Sequence, residues 1–577
     1  MESLETVAAS RWDTIIVGGG SAGCVLANRL SADRRRRVLL VEAGRDLPPG
    51  REEAAILDMY PGRAAFDPAN HWPRLDAHFA PVGHNAPDRP APRHYEQARL
   101  LGGGSSINGQ VANRGTPADY DEWAALGASG WDWHSVLPYF RKLERDLDFS
   151  GPLHGSDGPI PIHRISRDRW PRFSTAAAEA LVALGFPDIG DQNGCFGDGQ
   201  FGQTLSNNGT HRVSAASAYL DAATRARPNL AILTETETTG IVADGKRIVG
   251  IEVAHGTALA RILAHDTILS AGAIHTPALL LGAGIGPSGD LAALGIPVVA
   301  ELAGVGRNLQ EHPGISVSAY IRPPSRLGAT TRRHIHLALR YSSDMPGGAP
   351  SDMYMMVAAR SAWHPLGTRI GTLVTWINKA HSRGSVTLAP DGATRRPLAR
   401  FQFLADPRDA ARLVESVRFM ARLMATVPLA ACVEHPSPSS YTDFARSLGR
   451  RSARNWALTA AAALAIDLAP ALRRAAFDRF VAGGTSLATL LADPDALEDY
   501  VRERVFGQWH PCGTCRMGPA SDRESVVDPY DARLHGIAGL RVVDASVMPS
   551  APRANLNLPV LMLAEKFAAA ITAEARR

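Results

Sequence analysis

The sequence predicts a mixed fold, α/β in its first part and α+β in the rest: a Rossmann-type unit joined to a domain of antiparallel sheet and helices. Three observations carry that expectation. Residues 14–17 (Thr-Ile-Ile-Val) and 38–41 (Val-Leu-Leu-Val) read as short strands of the kind buried on both faces of a parallel sheet. Residues 21–30, between them, place Val25, Leu26 and Leu30 on a helical period. Much later, Gly371-Thr372-Leu373-Val374-Thr375-Trp376-Ile377 alternates, the mark of a sheet with one open face.

The remaining elements follow in order. Residues 45–95, rich in Pro, Asp, Arg and His, are expected as extended loop packed over the first domain. Residues 100–113 are glycine-rich, and 116–150 read as helical, with Trp123, Leu126, Trp131, Trp133, Leu137 and Phe140 supplying apolar contacts. Strands are expected at 230–233, 248–253 and 267–270. Pro-rich stretches at 321–325 and 345–350 mark a change of character, and 406–428 reads as an amphipathic helix. Residues 442–500 are Ala- and Leu-rich and mostly helical; after 505 the chain turns glycine-rich and ends in a helix over 561–573.

Composition narrows the function classes. The chain has 577 residues, 45% hydrophobic and 20% charged, with net charge +4. These are values of an ordinary globular protein and too weakly basic for a nucleic-acid binder. The run Arg34-Arg35-Arg36-Arg37 falls between a helix and a strand and reads as a solvated turn. Five cysteines, Cys24, Cys195, Cys432, Cys512 and Cys515, make no disulfide framework. Cys512 and Cys515 form a lone CxxC without the second pair that zinc requires, so no metal is expected. The longest apolar run, 456–466, is too short to span a bilayer, and no secretory leader precedes the first strand. A cytoplasmic location is expected.

Gly18, Gly20 and Gly23 fit G-x-G-x-x-G between that first strand and helix. The first glycine permits a tight turn, the second a close approach of backbone to a pyrophosphate, the third close helix–strand packing. The helix start, from Ser21, offers free N–H groups to phosphate. Glu42, at the end of the next strand, can accept hydrogen bonds from both ribose hydroxyls. A bound dinucleotide is expected; the unit alone does not separate FAD from NAD.

Five further blocks do. They are Tyr95-Glu96-Gln97-Ala98-Arg99-Leu100-Leu101-Gly102-Gly103-Gly104-Ser105-Ser106-Ile107-Asn108, the run 271–287, Gly304-Val305-Gly306-Arg307-Asn308-Leu309-Gln310-Glu311-His312, the run 510–518 beginning His510-Pro511-Cys512, and Arg541-Val542-Val543-Asp544-Ala545-Ser546. In this order they resemble the glucose–methanol–choline (GMC) oxidoreductases over residues 12–572, with Glu311 where the family usually has Asp. Within the family, stretches such as Gly130-Trp131-Asp132-Trp133 and Trp376-Ile377-Asn378-Lys379 are similar to the bacterial hydroxymethylfurfural oxidases and aryl-alcohol oxidase-like members.

The resemblance implies the GMC fold and FAD. It divides the chain into residues 1–314, carrying most of the FAD-binding domain, 315–505, mainly the substrate domain with a helical insertion at 442–500, and 506–577, a return to the FAD domain. It puts Glu42 and Ala43 at the adenosine ribose and the backbone of Thr238 at adenine. Trp72, Arg99, Leu101, Gly104, Ser105 and Asn108 would run along the cofactor, with Gly104 and Asn108 near the isoalloxazine. Ala271, Asp544 and Ala545 would meet the pyrophosphate and ribityl chain. His510 falls at the family's catalytic histidine and Asn555 at the partner position occupied by His or Asn.

Alcohol oxidation removes a proton from oxygen and a hydride from carbon, so it needs a base near the hydride acceptor. Histidine suits the first task. An amide such as Asn555 cannot be a base but can hold and orient the alcohol oxygen. Gly109, Val374, Trp376 and Trp509 are candidates for the wall of an aromatic-lined pocket; both tryptophans suit plain core packing equally. The reaction expected is oxidation of a primary aromatic or furanic alcohol to its aldehyde, with O2 as electron acceptor. A dehydrogenase using a quinone or other acceptor, as in choline dehydrogenases, and a non-redox hydroxynitrile lyase on the same fold stay open. The 442–500 segment is open among helical packing, a lid, an oligomer contact and a surface-binding helix.

Overall fold

The protein is described by a computed structural model covering residues 4–79, 92–328, 331–390 and 396–575. A parallel sheet lies at its centre. Arg11–Val17 pairs in parallel with Val38–Val41 on one side and with Ala258–Leu269 on the other, and Leu230–Leu233 extends the sheet beyond Val38–Val41. The four residues 38–41 are buried, as expected of a strand covered on both faces. The helix Ser21–Leu30 packs its apolar side against Asn557–Glu574, the last helix of the chain.

Ala258–Leu269 joins two parts of the molecule. Its first half pairs antiparallel with Arg247–His255, which in turn pairs with Thr236–Asp244. Its last three residues pair in parallel with Leu540–Val542, which brings the C-terminal segment back to the first sheet. The sequence marked only residues 267–270 of this strand. Its first residues are mostly exposed and 261–265 alternate between exposed and buried, so an apolar-run criterion finds only the buried end.

The second sheet has eight strands. Six lie in the order Val433–Pro438, Pro313–Ile321, Ile370–Ile377, Met353–Ala358, Ile335–Tyr341 and Gly199–Gly202. Asp188–Gly190 extends the far end, and Phe506–Gly507 pairs with Pro313 and Gly314. The helix Pro407–Ala425, close to its expected bounds, covers one face with Leu413, Val417, Met420 and Leu423.

The expectation of helix over 116–150 needs correction at its end. Pro117–Ala125 and Trp133–Leu143 are helical, but Glu144–Asp146 is a strand paired with Ile160–Arg164. Buried Glu144 there meets the fully buried Arg114, a pairing across the fold that no local period encodes. Within 45–95 the chain forms short helices at Ala54–Leu57 and Gly62–Ala65 and strands at Asp76–His78 and Arg93–His94 rather than loop throughout; residues 80–91 of that expectation lie outside the described residues. The arginines at 34–37 occupy the turn before Val38, with Arg35 paired to Asp33. Among the described residues, no helix is long and apolar enough to cross a membrane.

Candidate active site

A cavity of about 1840 Å³ lies between the two sheets. The glycine loop forms one end of it. Gly18 has φ +98°, and a Cβ there would sit 2.5 Å from the Ser270 carbonyl oxygen. A Cβ on Gly23 would sit 2.0 Å from the Gly18 carbonyl, so helix and strand approach too closely for any side chain. Gly20 differs: a Cβ there would meet no protein atom within 4 Å, because its free side faces the cavity. Two of the glycines are thus required by close backbone packing, and the third leaves open space on the cavity side.

Glu42 is buried, and its two oxygens accept from the backbone N–H groups of Gly19 and Gly44, both at 2.7 Å. Burial raises its pKa against the pull of those two donors. A carboxylate has about four acceptor sites, so two remain for hydroxyl groups in the cavity. The Thr238 hydroxyl is buried without a protein partner on the same wall. Asp544 caps the short helix Ala545–Val547 and accepts from Gly272 N–H and the Thr276 hydroxyl, which fixes the start of the helix Gly272–Gly282 beside Ala271. An open glycine cradle, a carboxylate with spare acceptors and an orphaned hydroxyl fit a dinucleotide cofactor.

Most of the other expected cofactor residues line this cavity: Ser21, Ala43, Trp72, Arg99, Gly104, Ser105, Asn108 and Ala545. Trp72 stacks on His275 with ring centres 4.3 Å apart, and the Arg99 guanidinium lies 5.1 Å from the Trp72 ring centre. Asn108 Oδ1 accepts from Gln110 N–H and Arg212 Nη1. Leu101 and Gly23 do not reach the cavity. Leu101 packs under Gly19, where a Cβ would lie 2.4 Å from its Cδ1, so it supports the loop from behind.

At the other end His510 is buried between two partners. Its Nδ1 lies 2.9 Å from His312 Nδ1, and Asn555 Nδ2 lies 2.9 Å from its Nε2. Burial, with the His312 ring beside it, holds the His510 imidazole well below histidine's ordinary pKa; burial also lowers His312, to about 4. Both rings are therefore neutral at neutral pH. If Nε2 accepts from the Asn555 amide, the His510 proton sits on Nδ1 and is donated to His312. The unprotonated nitrogen then stands on the cavity side, and Asn555 Oδ1 is buried without a partner.

A carboxylate holds this arrangement from behind. Both oxygens of Glu311 accept from the His510 N–H, at 2.9 and 2.8 Å, and one also accepts the Tyr95 hydroxyl in a short hydrogen bond. Burial pushes the Glu311 carboxyl up to about 7 against these donors. The preceding residue, Trp509, adopts φ +61°, a left-handed conformation rare for a bulky side chain. Its indole donates to Glu96 at 3.0 Å. Sequence reasoning assigned no role to Tyr95, Glu311 or His312. All three stand inside the quoted blocks, but no local spacing links positions 95, 311 and 510.

The predicted pocket wall is partly corrected. Gly109, Val374 and Trp509 line the cavity, but Trp376 does not. Trp376 is buried, stacks on Tyr354 at 4.6 Å and donates to Asn378, because the cross-strand register sets Trp376 opposite Tyr354 and closes that end of the face. Cys512 and Cys515 are buried free thiols in the apolar core.

Comparisons with known proteins agree with this geometry. Residues 12–314 and 380–564 match the N- and C-terminal models of the GMC oxidoreductases. The chain is 44% identical over 572 residues to a 5-(hydroxymethyl)furfural oxidase of Methylovorus sp. (strain MP688), covering 98% of this chain and 99% of the relative. It is 30% identical to an oxygen-dependent choline dehydrogenase of Brucella ovis, over 96% of this chain and 94% of the other. The solved structure of a pyridoxine 4-oxidase from Mesorbium loti superposes with TM-score 0.78 at 28% identity, covering 97% and 99% of the two chains. A fungal aryl-alcohol oxidase shares the fold with TM-score 0.74 at 22% identity, covering 98% of this chain and 100% of that one. With the dinucleotide cradle, the histidine centre and both family halves in place, the chain belongs to the GMC oxidoreductases and is an FAD-dependent enzyme of that family.

Proposed function

We propose that the protein oxidises a primary aromatic or furanic alcohol to the aldehyde, with His510 as base and O2 as final electron acceptor. The observation that carries this reading is the neutral His510 Nε2 on the cavity side, beside an Asn555 amide with an unpartnered oxygen. FAD, held by the Gly18–x–Gly20 loop, Glu42 and the Asp544 segment, supplies a two-electron acceptor for the hydride of the carbinol carbon.

The chain's own residues do the rest. An alcohol oxygen entering between Asn555 and His510 would accept from the Asn555 Nδ2 and donate its proton to His510 Nε2. His312 then accepts the Nδ1–H of the resulting imidazolium, and Glu311 keeps the ring's backbone in place. Fixing the oxygen by two groups aligns the carbinol C–H, and such positioning contributes several orders of magnitude in rate. General-base catalysis adds about 10²–10⁴-fold.

A choline-type substrate fits less well. Arg360, just after the strand Met353–Ala358, and Arg446 and Arg450 of the 442–500 segment line the cavity and repel a quaternary ammonium, while Glu96 is tied to the Trp509 indole. Free cysteines throughout suit a reducing, cytoplasmic compartment. The test is a panel of alcohols given to the holoenzyme under air, with aldehyde and hydrogen peroxide measured. Benzylic and furanic alcohols should yield both in equal amounts. Turnover with a quinone dye but not with O2 would move the protein to the dehydrogenases; cyanohydrin cleavage without flavin reduction would move it to the lyases.

A further inference from the structure

The cavity extends well past the space a single ring needs. On the strand Ile370–Ile377 the alternate residues Val374, Thr372 and Ile370 all face it. His510 lies at the Trp376 end of this strand, because Phe506–Gly507 pairs with Pro313–Gly314 and Gly314 pairs with Trp376. From Val374 the cavity therefore runs away from His510 for four residues, about 13 Å at ~3.3 Å per residue.

At the far end the wall changes hands. Ile370 packs in one apolar cluster with Ile466, Phe477 and Val481, all from the 442–500 segment. Ala462 and Ala465 of the helix Ala453–Leu468, Ala476 of Pro470–Ala476 and Phe480 also line the cavity there. Three of these are alanines, which leave volume where larger side chains would fill it. Together these side chains continue the substrate sheet as an apolar stretch of wall, and the same segment also sets Arg446 and Arg450 on the cavity.

We propose that the 442–500 helices make the active site a channel, and that the substrates it selects are primary benzylic or furanic alcohols with an apolar body extending past the first ring. This rests on the alcohol-oxidase reading above. Each methylene that enters an apolar channel favours binding, so selectivity should grow with the length of the substituent.

The experiment compares kcat/KM of the holoenzyme for benzyl alcohol and para-hexyloxybenzyl alcohol, in the native chain and in Ala465→Trp and Ala462→Leu. The native chain should prefer the long alcohol by about tenfold or more, mainly through KM. Filling the channel should bring that ratio towards one; FAD content and the remaining benzyl alcohol turnover report whether each variant has folded. A native ratio near or below one overturns the channel while leaving alcohol oxidation intact. So does a high ratio that neither folded variant lowers. If no alcohol is oxidised at all, the alcohol-oxidase reading falls and the channel falls with it.

Discussion

At the scale of single residues, His510 is set by three neighbours with separate effects: Asn555 at Nε2, His312 at Nδ1 and Glu311 at the backbone N–H. Because burial depresses its pKa, the ring is the active, neutral form at neutral pH and is lost only as pH falls well below 6.5. The acid limb of kcat/KM should therefore lie well below that value. Asn555→Asp puts an anion beside Nε2, which favours the protonated ring, so the limb should move up towards neutrality; an unmoved limb would separate Asn555 from the base. Glu311→Gln replaces one acceptor oxygen by an NH2 group among donors from Tyr95, His312 and His510. A loss of about 10–100-fold in kcat at nearly constant KM is expected, since a displaced base lowers the chemical step more than binding. A change confined to KM would argue that Glu311 only shapes the pocket.

Among the elements, the glycine loop gives a clean contrast. Gly20 has φ −74° and open space around it, so Gly20→Ala should fold normally and lose FAD, because the methyl projects where the backbone meets phosphate. Gly23→Ala meets the Gly18 carbonyl and should lower the Tm of the apoprotein itself. Equal effects of the two on apoprotein Tm would remove the distinction. This loop was legible in the sequence because its demands are local: a turn, a close approach and a helix start within six residues. The active centre was legible only in part. His510 and Asn555 were expected from the family resemblance, whereas the contacts of Glu311, His312 and Tyr95 arise only when three distant segments meet. Trp376 was misplaced for the same reason: the alternation of 371–377 is local, but the register opposite Tyr354 decides that Trp376 is covered.

For the molecule as a whole, the cavity that fits the cofactor is lined by residues as far apart as Gly18, Arg99, Ala271 and Asp544. FAD bound there would tie the N-terminal unit to the C-terminal return, which already meet through Leu540–Val542 and Asn557–Glu574. Its removal should lower Tm, and added FAD should restore it in a concentration-dependent way, by about 2.7 kcal/mol at a hundredfold excess over Kd; a Tm indifferent to FAD would contradict a shared site. The two-sheet architecture was foreseen, but the eight-stranded order of the second sheet was not, since pairings between strands as distant as Gly199–Gly202 and Ile335–Tyr341 leave no local trace. The central claim, that His510 takes the alcohol's proton in a flavin-dependent oxidation, is tested most directly by mixing holoenzyme with an aromatic alcohol without oxygen and following flavin absorbance. The native protein should bleach rapidly and recover its colour when air is admitted, while His510→Ala, with FAD still bound, should bleach slower by orders of magnitude. Bleaching at the same rate in both proteins, or none with any alcohol, would contradict the account.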